Sequence, residues 1–192
     1  MKKIVLLMLA ISFFACGEKK EENKEKNTST EEKIVDTKSD TTQEELQIIV
    51  GKYERKNIEA SPYGEAWFND NYELHPLDET TASALSEFLK DVEIKVFMGT
   101  WCSDSQMQVP AFFKIMDKVG FDESKLTLIA MTEDKTTIAN FEEGLNITNV
   151  PTFIFYKDGE ELNRIVEAPI ETLEKDMLAI LKGEEYKHTY AE

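Results

Sequence analysis

Hydrophobic and polar positions divide the chain into an apolar start, a polar stretch to about residue 45, and a long region of dense apolar runs over residues 46–192. Strand and helix spacings repeat through this long region, so we predict one folded domain there. Glu93–Thr100 and Leu126–Met131 are short and largely apolar, which is typical of buried strands. Leu46–Val50 is too short for its periodicity to distinguish a strand from a helix.

Two segments in the first half of the domain carry helix signals. Residues 77–92 contain a capping residue, Asp78 or Thr80, ahead of their apolar positions. The apolar stripe predicted for this helix consists of Ala84, Leu85, Phe88 and Leu89. Residues 107–121 form a longer helix with Pro110 inside it, where proline is expected to bend the axis.

The second half of the domain contains a predicted hairpin between two predicted helices. Thr137–Leu145 favours a helix, and residues 170–183 form an amphipathic helix that ends at Gly183. Between them, residues 150–167 are typical of a β-hairpin because Asp158-Gly159 is a strong turn signal.

The order of predicted elements, β, α, β, α, β, β, α, indicates an α/β fold with a central mixed sheet flanked by helices. Residues 93–183 form its core, and residues 46–92 form an N-terminal extension with the first helix. The aromatic segment Ser61–Pro76 in that extension either packs against the core or forms an exposed ledge for a ligand. Its aromatic density favours packing against the core.

Residues 1–15 have the pattern of a bacterial export signal, with a basic start followed by the apolar run Ile4–Ala15. Twelve residues are too few for a membrane span, which needs about 20. A small residue before Cys16 resembles a lipobox, which implies cleavage before Cys16 and lipid on its sulfur. We therefore predict a lipoprotein anchored to the membrane through Cys16.

Residues 16–45 are too polar to bury a core, so we predict a disordered tether between the lipid and the domain. Gly17 stands where an Asp would retain a bacterial lipoprotein at the inner membrane. Its presence favours the outer membrane, with the domain facing the periplasm. The run GEKKEE, from Gly17, also resembles surface-export tags, so display on the cell surface is the alternative.

The formal net charge of −16 makes nucleic acid and anionic lipid poor partners for this chain. With lipid on Cys16, Cys102 is the one remaining thiol, and no internal disulfide can form. His75 and His188 lie far apart in sequence and one thiol is too few for a metal site, so we predict neither a metal nor a cofactor.

Cys102 lies where the strand run ends and the helix with Pro110 begins, within the segment GTWCSDSQMQVP. Unpaired backbone N–H groups and the positive end of the helix dipole favour a thiolate at such a place. Ser105 lies one helical turn on, near enough to donate a hydrogen bond to the sulfur. The alternative is a buried and inert cysteine, but the polar residues 103–106 argue against burial.

These motifs resemble the thioredoxin superfamily, and specifically membrane-tethered thioredoxin-like proteins of the bacterial envelope. The matching features, in order along residues 93–182, are Phe97, Trp101, Cys102, Pro110, Val150-Pro151-Thr152 and the hairpin that follows. The resemblance implies a thioredoxin fold with an N-terminal extension.

The resemblance also implies roles for individual residues. Cys102 would be the attacking nucleophile, with Trp101 as the flanking aromatic. Pro151 would be a cis-proline facing the sulfur, next to Thr152, and Val150 would offer main-chain hydrogen bonds to a substrate.

Two departures from the family pattern change the expected chemistry. Ser105 occupies the place of the resolving cysteine, and Val96 occupies the place of a buried acid that serves that cysteine. A reductase needs the second thiol to release its substrate. We therefore predict single-thiol exchange through Cys102 with disulfides or thiols of envelope proteins or of low-molecular-weight compounds. Release would come from a substrate thiol, as in isomerisation, or from a small thiol, as in deglutathionylation.

A non-catalytic module that holds extended peptides in the same groove is the alternative. A peroxidase is disfavoured because Gly99 stands where peroxiredoxins have Thr.

Overall fold

A five-stranded mixed sheet forms the centre of the computed structural model, which describes residues 46–191. Its strands are β1 (Gly51–Tyr53), β2 (Val92–Met98), β3 (Leu126–Ala130), β4 (Thr152–Lys157) and β5 (Glu160–Val166). They lie in the order β1-β3-β2-β4-β5, in which β2 and β3 are parallel and the other neighbours are antiparallel. The predicted signal segment, the lipid site Cys16 and the tether lie outside the described residues.

Four strand ends lie together at one edge of the sheet, which we call the site edge. There β2 and β3 both end, with Met98 opposite Ala130. Thr152 begins β4 at the same edge and pairs with Val166, the last residue of β5. Segments before β4 and after β2, β3 and β5 therefore meet at the site edge.

The helices are α1 (Arg55–Glu59), α2 (Asn69–Leu74), α3 (Glu79–Leu85), α4 (Ser103–Val119) and α5 (Leu173–Lys182). A π-helical turn, Gly64–Phe68, leads into α2, and a 3-10 turn, Glu123–Lys125, precedes β3. Pro110 lies inside α4, as predicted. None of the helices in residues 46–191 is long and apolar enough to cross a membrane.

Side chains that alternate along the strands form two apolar clusters, one on each face of the sheet. The larger cluster contains Val96 and Phe153 and packs against the helices. The smaller cluster contains Phe97, Ile129 and Ile154, and loop residues cover it. The mixed sheet, the flanking helices and the hairpin between β4 and β5 confirm the predicted fold class. Asp158 and Gly159 both have positive φ, as a tight hairpin turn requires.

The helix predicted over Thr137–Leu145 is wrong, because this segment forms a series of turns. Asn140 and Gly144 both have positive φ, a conformation that interrupts a right-handed helix. The hydroxyl of Thr137 accepts a hydrogen bond from the backbone N–H of Phe141 at 2.9 Å and so organises the turns. Phe141 packs against the smaller cluster.

The helix predicted over residues 77–92 is shorter than expected and its predicted stripe is partly wrong. Asp78, one of the two predicted capping residues, caps α3 by accepting from the backbone N–H groups of Thr80 and Thr81. Ala84 and Phe88 are exposed because the buried stripe runs along a neighbouring set of positions, spaced three and four residues apart. The buried apolar residues here are Ala82, Leu85 and Leu89.

The aromatic segment Ser61–Pro76 packs against the core, which confirms that alternative over the exposed ledge. Tyr63, Trp67 and Phe68 are all buried. The ring of Phe68 lies 6.0 Å from that of Phe113 on α4. Residues 46–50 have no regular structure and lead into β1.

Candidate functional site

Cys102 lies at the site edge as the N-cap residue of α4. Its backbone N–H donates to the Gly99 carbonyl at 3.0 Å, and its carbonyl accepts from the N–H of Gln106 at 3.0 Å. Its Sγ donates to the Val150 carbonyl at 3.1 Å. The side chain is half-buried, so the structure does not support the fully buried, inert cysteine.

The loop before β4 faces this sulfur. The peptide bond between Val150 and Pro151 is cis, as the resemblance implies. Thr152 is buried, and its hydroxyl donates to the Asn149 carbonyl at 2.6 Å across the loop. Cys102, Val150, Pro151 and Thr152 are therefore brought together, although they are about 50 residues apart in sequence.

Trp101 flanks the cysteine and is anchored on the β3 side of the site. Its indole N–H donates to the carbonyl of Met131, the residue after β3, at 3.0 Å. A Cβ at Gly99 would lie 2.6 Å from the Trp101 ring, so only glycine fits there. The ammonium of Lys135 lies 5.8 Å from the ring centroid.

Ser105 does not hydrogen-bond the sulfur, which corrects the prediction for this residue. It is fully buried, and its Oγ accepts from the backbone N–H of Gly99 at 3.1 Å. The hydroxyl is directed to Gly99 because that N–H, at the end of β2, would otherwise lack a buried acceptor. Among residues 46–191, no hydrogen bond joins Ser105 to Cys102. Ser105 therefore holds the turn that carries Cys102.

No carboxylate lies beneath the site in the position of Val96, which is fully buried in the larger cluster. The buried acids in the described residues are Glu174 and Asp176, both on α5. Asp176 accepts from the backbone N–H groups of Ile170 and Glu171. These hydrogen bonds stabilise the loop before α5.

Glu174 is paired with His75, whose Nε2 lies 3.0 Å from the carboxylate. Burial by itself would raise the pKa of Glu174, but hydrogen bonds from His75 and from the backbone N–H of Asp78 lower it below its ordinary value. His188 lies in the C-terminal tail and accepts from the backbone N–H of Tyr190. In the part of the chain that the structure describes, no group of three acidic, His or Cys side chains is placed to hold a metal ion.

Sequence reasoning missed Glu167, which follows β5 at the site edge. Its backbone N–H donates to the Pro151 carbonyl at 2.7 Å, and its carboxylate accepts from the side chain of Asn149 at 3.3 Å. Its φ is +68°, a conformation that a residue other than glycine rarely adopts. An acidic residue directly after a strand is too common a pattern to have identified it.

Proteins similar to this chain include several thioredoxins. Thioredoxin H9 of Arabidopsis thaliana is 26% identical over 128 residues, which are 66% of this chain and 87% of that protein. A thioredoxin of Coprinus comatus is 31% identical over 78 residues, which are 41% of this chain and 70% of that protein. The crystal structure of oxidised thioredoxin O1 of Arabidopsis thaliana is 23% identical, covers 52% of this chain and 85% of its own, and has a TM-score of 0.35. The thioredoxin family model matches residues 58–182, well over half of the chain, and the chain therefore belongs to the thioredoxin family.

Proposed function

We propose that this chain performs single-thiol exchange through Cys102 with disulfides of proteins or small molecules in the bacterial cell envelope. Membership of the thioredoxin family supports thiol–disulfide chemistry in general. The observation that carries the finer proposal is a half-buried Cys102 facing the cis-proline loop, with Ser105 buried one turn along α4. Within residues 46–191, Cys102 is the one free cysteine.

The first step of the proposed reaction is attack of the Cys102 thiolate on a substrate disulfide. The proton that Sγ donates in its hydrogen bond to the Val150 carbonyl leaves to solvent before the attack. A bond forms between Sγ and one substrate sulfur while the substrate disulfide breaks, and the other sulfur leaves as a thiolate. Trp101 and Val150-Pro151-Thr152 line the place where the substrate would bind, with the Val150 carbonyl available to a substrate main chain once the thiol proton has left.

Release needs a thiolate from outside the described domain, because Ser105 supplies none. A second thiolate of the substrate would attack the mixed disulfide and rearrange the substrate. A low-molecular-weight thiolate would instead attack the substrate sulfur of the mixed disulfide, so that a disulfide forms between the substrate and the small thiol while Cys102 leaves as a thiolate. Neither route changes the total number of disulfides.

The envelope location belongs to the same proposal. Lipid on Cys16 would anchor the chain to the outer membrane, and the polar residues 17–45 would separate the domain from the lipid. The domain would then face the periplasm. Protease treatment of intact cells tests the orientation. Survival of the domain supports the periplasmic face, and its loss would show display on the cell surface.

The central experiment is capture of a mixed disulfide by the full chain carrying Cys16→Ser, so that Cys102 is its one thiol. Oxidised glutathione should give an adduct that mass spectrometry locates at Cys102, that persists on dilution, and that reduced glutathione removes. Cys102→Ser in the same background should give none. If Cys102 forms no adduct while a small alkylating reagent labels it, single-thiol exchange is wrong and the peptide-binding module becomes the leading function.

A further inference from the structure

The chain continues beyond α5 as a tail, residues 184–191, that folds back onto the domain. Tyr186 anchors its first part, because its hydroxyl donates to the Asp176 carboxylate at 2.9 Å. The Tyr186 carbonyl also accepts from the side chain of Asn163 on β5 at 3.0 Å. The tail therefore has a defined path along the β5 side of the domain.

The tail reaches the site edge, where the hydroxyl of Tyr190 donates to the carboxylate of Glu167. That hydrogen bond raises the pKa of the Tyr190 phenol, and the charge of Asp104 adds to the effect. Asp104 is in the first turn of α4, two residues after Cys102. The phenol of Tyr190 therefore contacts the residue that follows β5.

Contacts run from Tyr190 to the sulfur through the cis-proline loop. Glu167 accepts from Asn149 and donates its backbone N–H to the Pro151 carbonyl. Val150, between those two residues, accepts the hydrogen bond from Cys102 Sγ. Glu167 has a positive φ, a backbone conformation that is energetically costly for a residue other than glycine. Residues held in such conformations are concentrated at functional sites.

Trp101 and Tyr190 are tied to strands on opposite sides of β2, the strand that leads to Cys102. Trp101 is tied to Met131 after β3, and Tyr190 is tied to Glu167 after β5. In the sheet, β2 and β4 lie between β3 and β5, and these inner strands lead to Cys102 and Val150. Three strand spacings separate β3 from β5, which is roughly 14 Å.

We propose that Tyr190 is a specificity-determining residue: with Trp101 it forms the two aromatic walls of a groove that selects extended polypeptide disulfides over small ones. The inference rests on the proposed single-thiol function. About four or five extended residues span the distance between the strands to which the two walls are tied, whereas a small disulfide at Cys102 is too short to contact both walls. Tyr190 is 46% exposed and Cys102 is half-buried with the tail in place, so the tail lines the groove without covering the sulfur.

The test compares two reagents with the same leaving group. One is a peptide of about nine residues whose central cysteine is linked to thionitrobenzoate, which is long enough to contact both walls. The other is cysteamine linked to thionitrobenzoate. In each case the Cys102 thiolate bonds to the peptide or cysteamine sulfur, and thionitrobenzoate leaves as a coloured thiolate. The full chain with Cys16→Ser is the reference protein.

Tyr190→Ala should slow the reaction with the peptide by about five-fold, which is the size expected for one lost aromatic contact, and leave the cysteamine rate unchanged. Tyr190→Phe keeps the ring but loses the hydrogen bond to Glu167, so its effect should be smaller. Glu167→Gly keeps the backbone conformation but removes the carboxylate, and should also lower the peptide rate. Thr189→Ala, in the same exposed tail, is the matched control and should change neither rate.

The measured quantity is the rate with the peptide reagent divided by the rate with the cysteamine reagent. If this ratio is unchanged or higher in Tyr190→Ala, the inference is overturned, and a higher ratio would show that the tail obstructs polypeptides. If the reference protein releases thionitrobenzoate from neither reagent, the proposed function fails and the inference fails with it. If the reference protein reacts with both reagents but the ratio does not fall, the inference alone fails.

Discussion

Replacing Ser105 tests the corrected role of this residue, which is to hold the turn that carries Cys102. Ser105→Ala removes the acceptor of the buried Gly99 N–H, a hydrogen bond of 3.1 Å inside a fully buried site. Leaving a buried donor without a partner costs about 1–3 kcal/mol. For a domain of this size, each kcal/mol corresponds to about 2–4 °C in Tm. We therefore expect Tm to fall by several degrees.

Ser105→Cys separates the structural from the chemical role of this position. A thiol still accepts a hydrogen bond, although more weakly than a hydroxyl, whereas a methyl group accepts none, so we expect a smaller loss of stability than in Ser105→Ala. The new thiol supplies the resolving group, so adducts at Cys102 should decrease and reduction of insulin disulfides should appear. The gain should be partial, because the side chain at position 105 is directed to Gly99 and Val96 provides no carboxylate to deprotonate the new thiol.

Urea unfolding and a gel assay for trapped adducts measure the two effects. Ser103→Ala is the matched control, because Ser103 is exposed in the same turn and should change the free energy of unfolding by less than about 0.5 kcal/mol. If Ser105→Ala is as stable as Ser103→Ala, the hydrogen bond to Gly99 does not hold the turn. If Ser105→Cys traps as much substrate as the unsubstituted chain, the missing second thiol is not what makes adducts persist.

Three further predictions concern the edge of the sheet, the buried acid and the anchor. Gly99→Ala places a Cβ 2.6 Å from the Trp101 ring, so it should destabilise the domain by about 1–3 kcal/mol and slow adduct formation at Cys102; an unchanged unfolding curve would contradict this packing. Because the folded-state pKa of Glu174 is lowered, its stabilising contribution is present above its ordinary pKa of 4.5 and is lost as the pH falls through the lowered value. Glu174→Gln should therefore lower the free energy of unfolding at neutral pH, with the difference from the unsubstituted chain shrinking in acid; a difference that is constant with pH would be evidence against the lowered pKa. Cys16→Ala should move the chain from the membrane fraction to the soluble fraction, and sedimentation with membranes in high salt would show that Cys16 is not the anchor.

Local patterns in the sequence were sufficient for the parts of the fold that depend on neighbouring residues. The runs that became β2 and β3, the Asp158-Gly159 turn and the Gly183 helix end follow from side-chain alternation and backbone preferences within a few residues. The same locality placed Cys102 between a strand and a helix. The cis bond at Pro151 came from the resemblance to thioredoxins, because no periodic pattern distinguishes cis from trans.

Prediction from the sequence failed where a local preference for helix competed with a specific backbone conformation. The segment 137–145 has helical spacing, yet positive φ at Asn140 and Gly144 forms turns that place Phe141 over the smaller cluster. Covering that face of the sheet contributes more free energy than one short helix, which is marginal without packing.

Tertiary structure alone decided the direction of each side chain at the site. Ser105 was expected to face Cys102 because the two are one helical turn apart, but its hydroxyl turns to the buried N–H of Gly99. The contact between Tyr190 and Glu167 joins residues on different elements. Buried polar groups must find partners wherever the folded chain brings them. Sequence spacing therefore identified Cys102 as the candidate reactive residue, and only the packing of strand ends and tail determined what surrounds it.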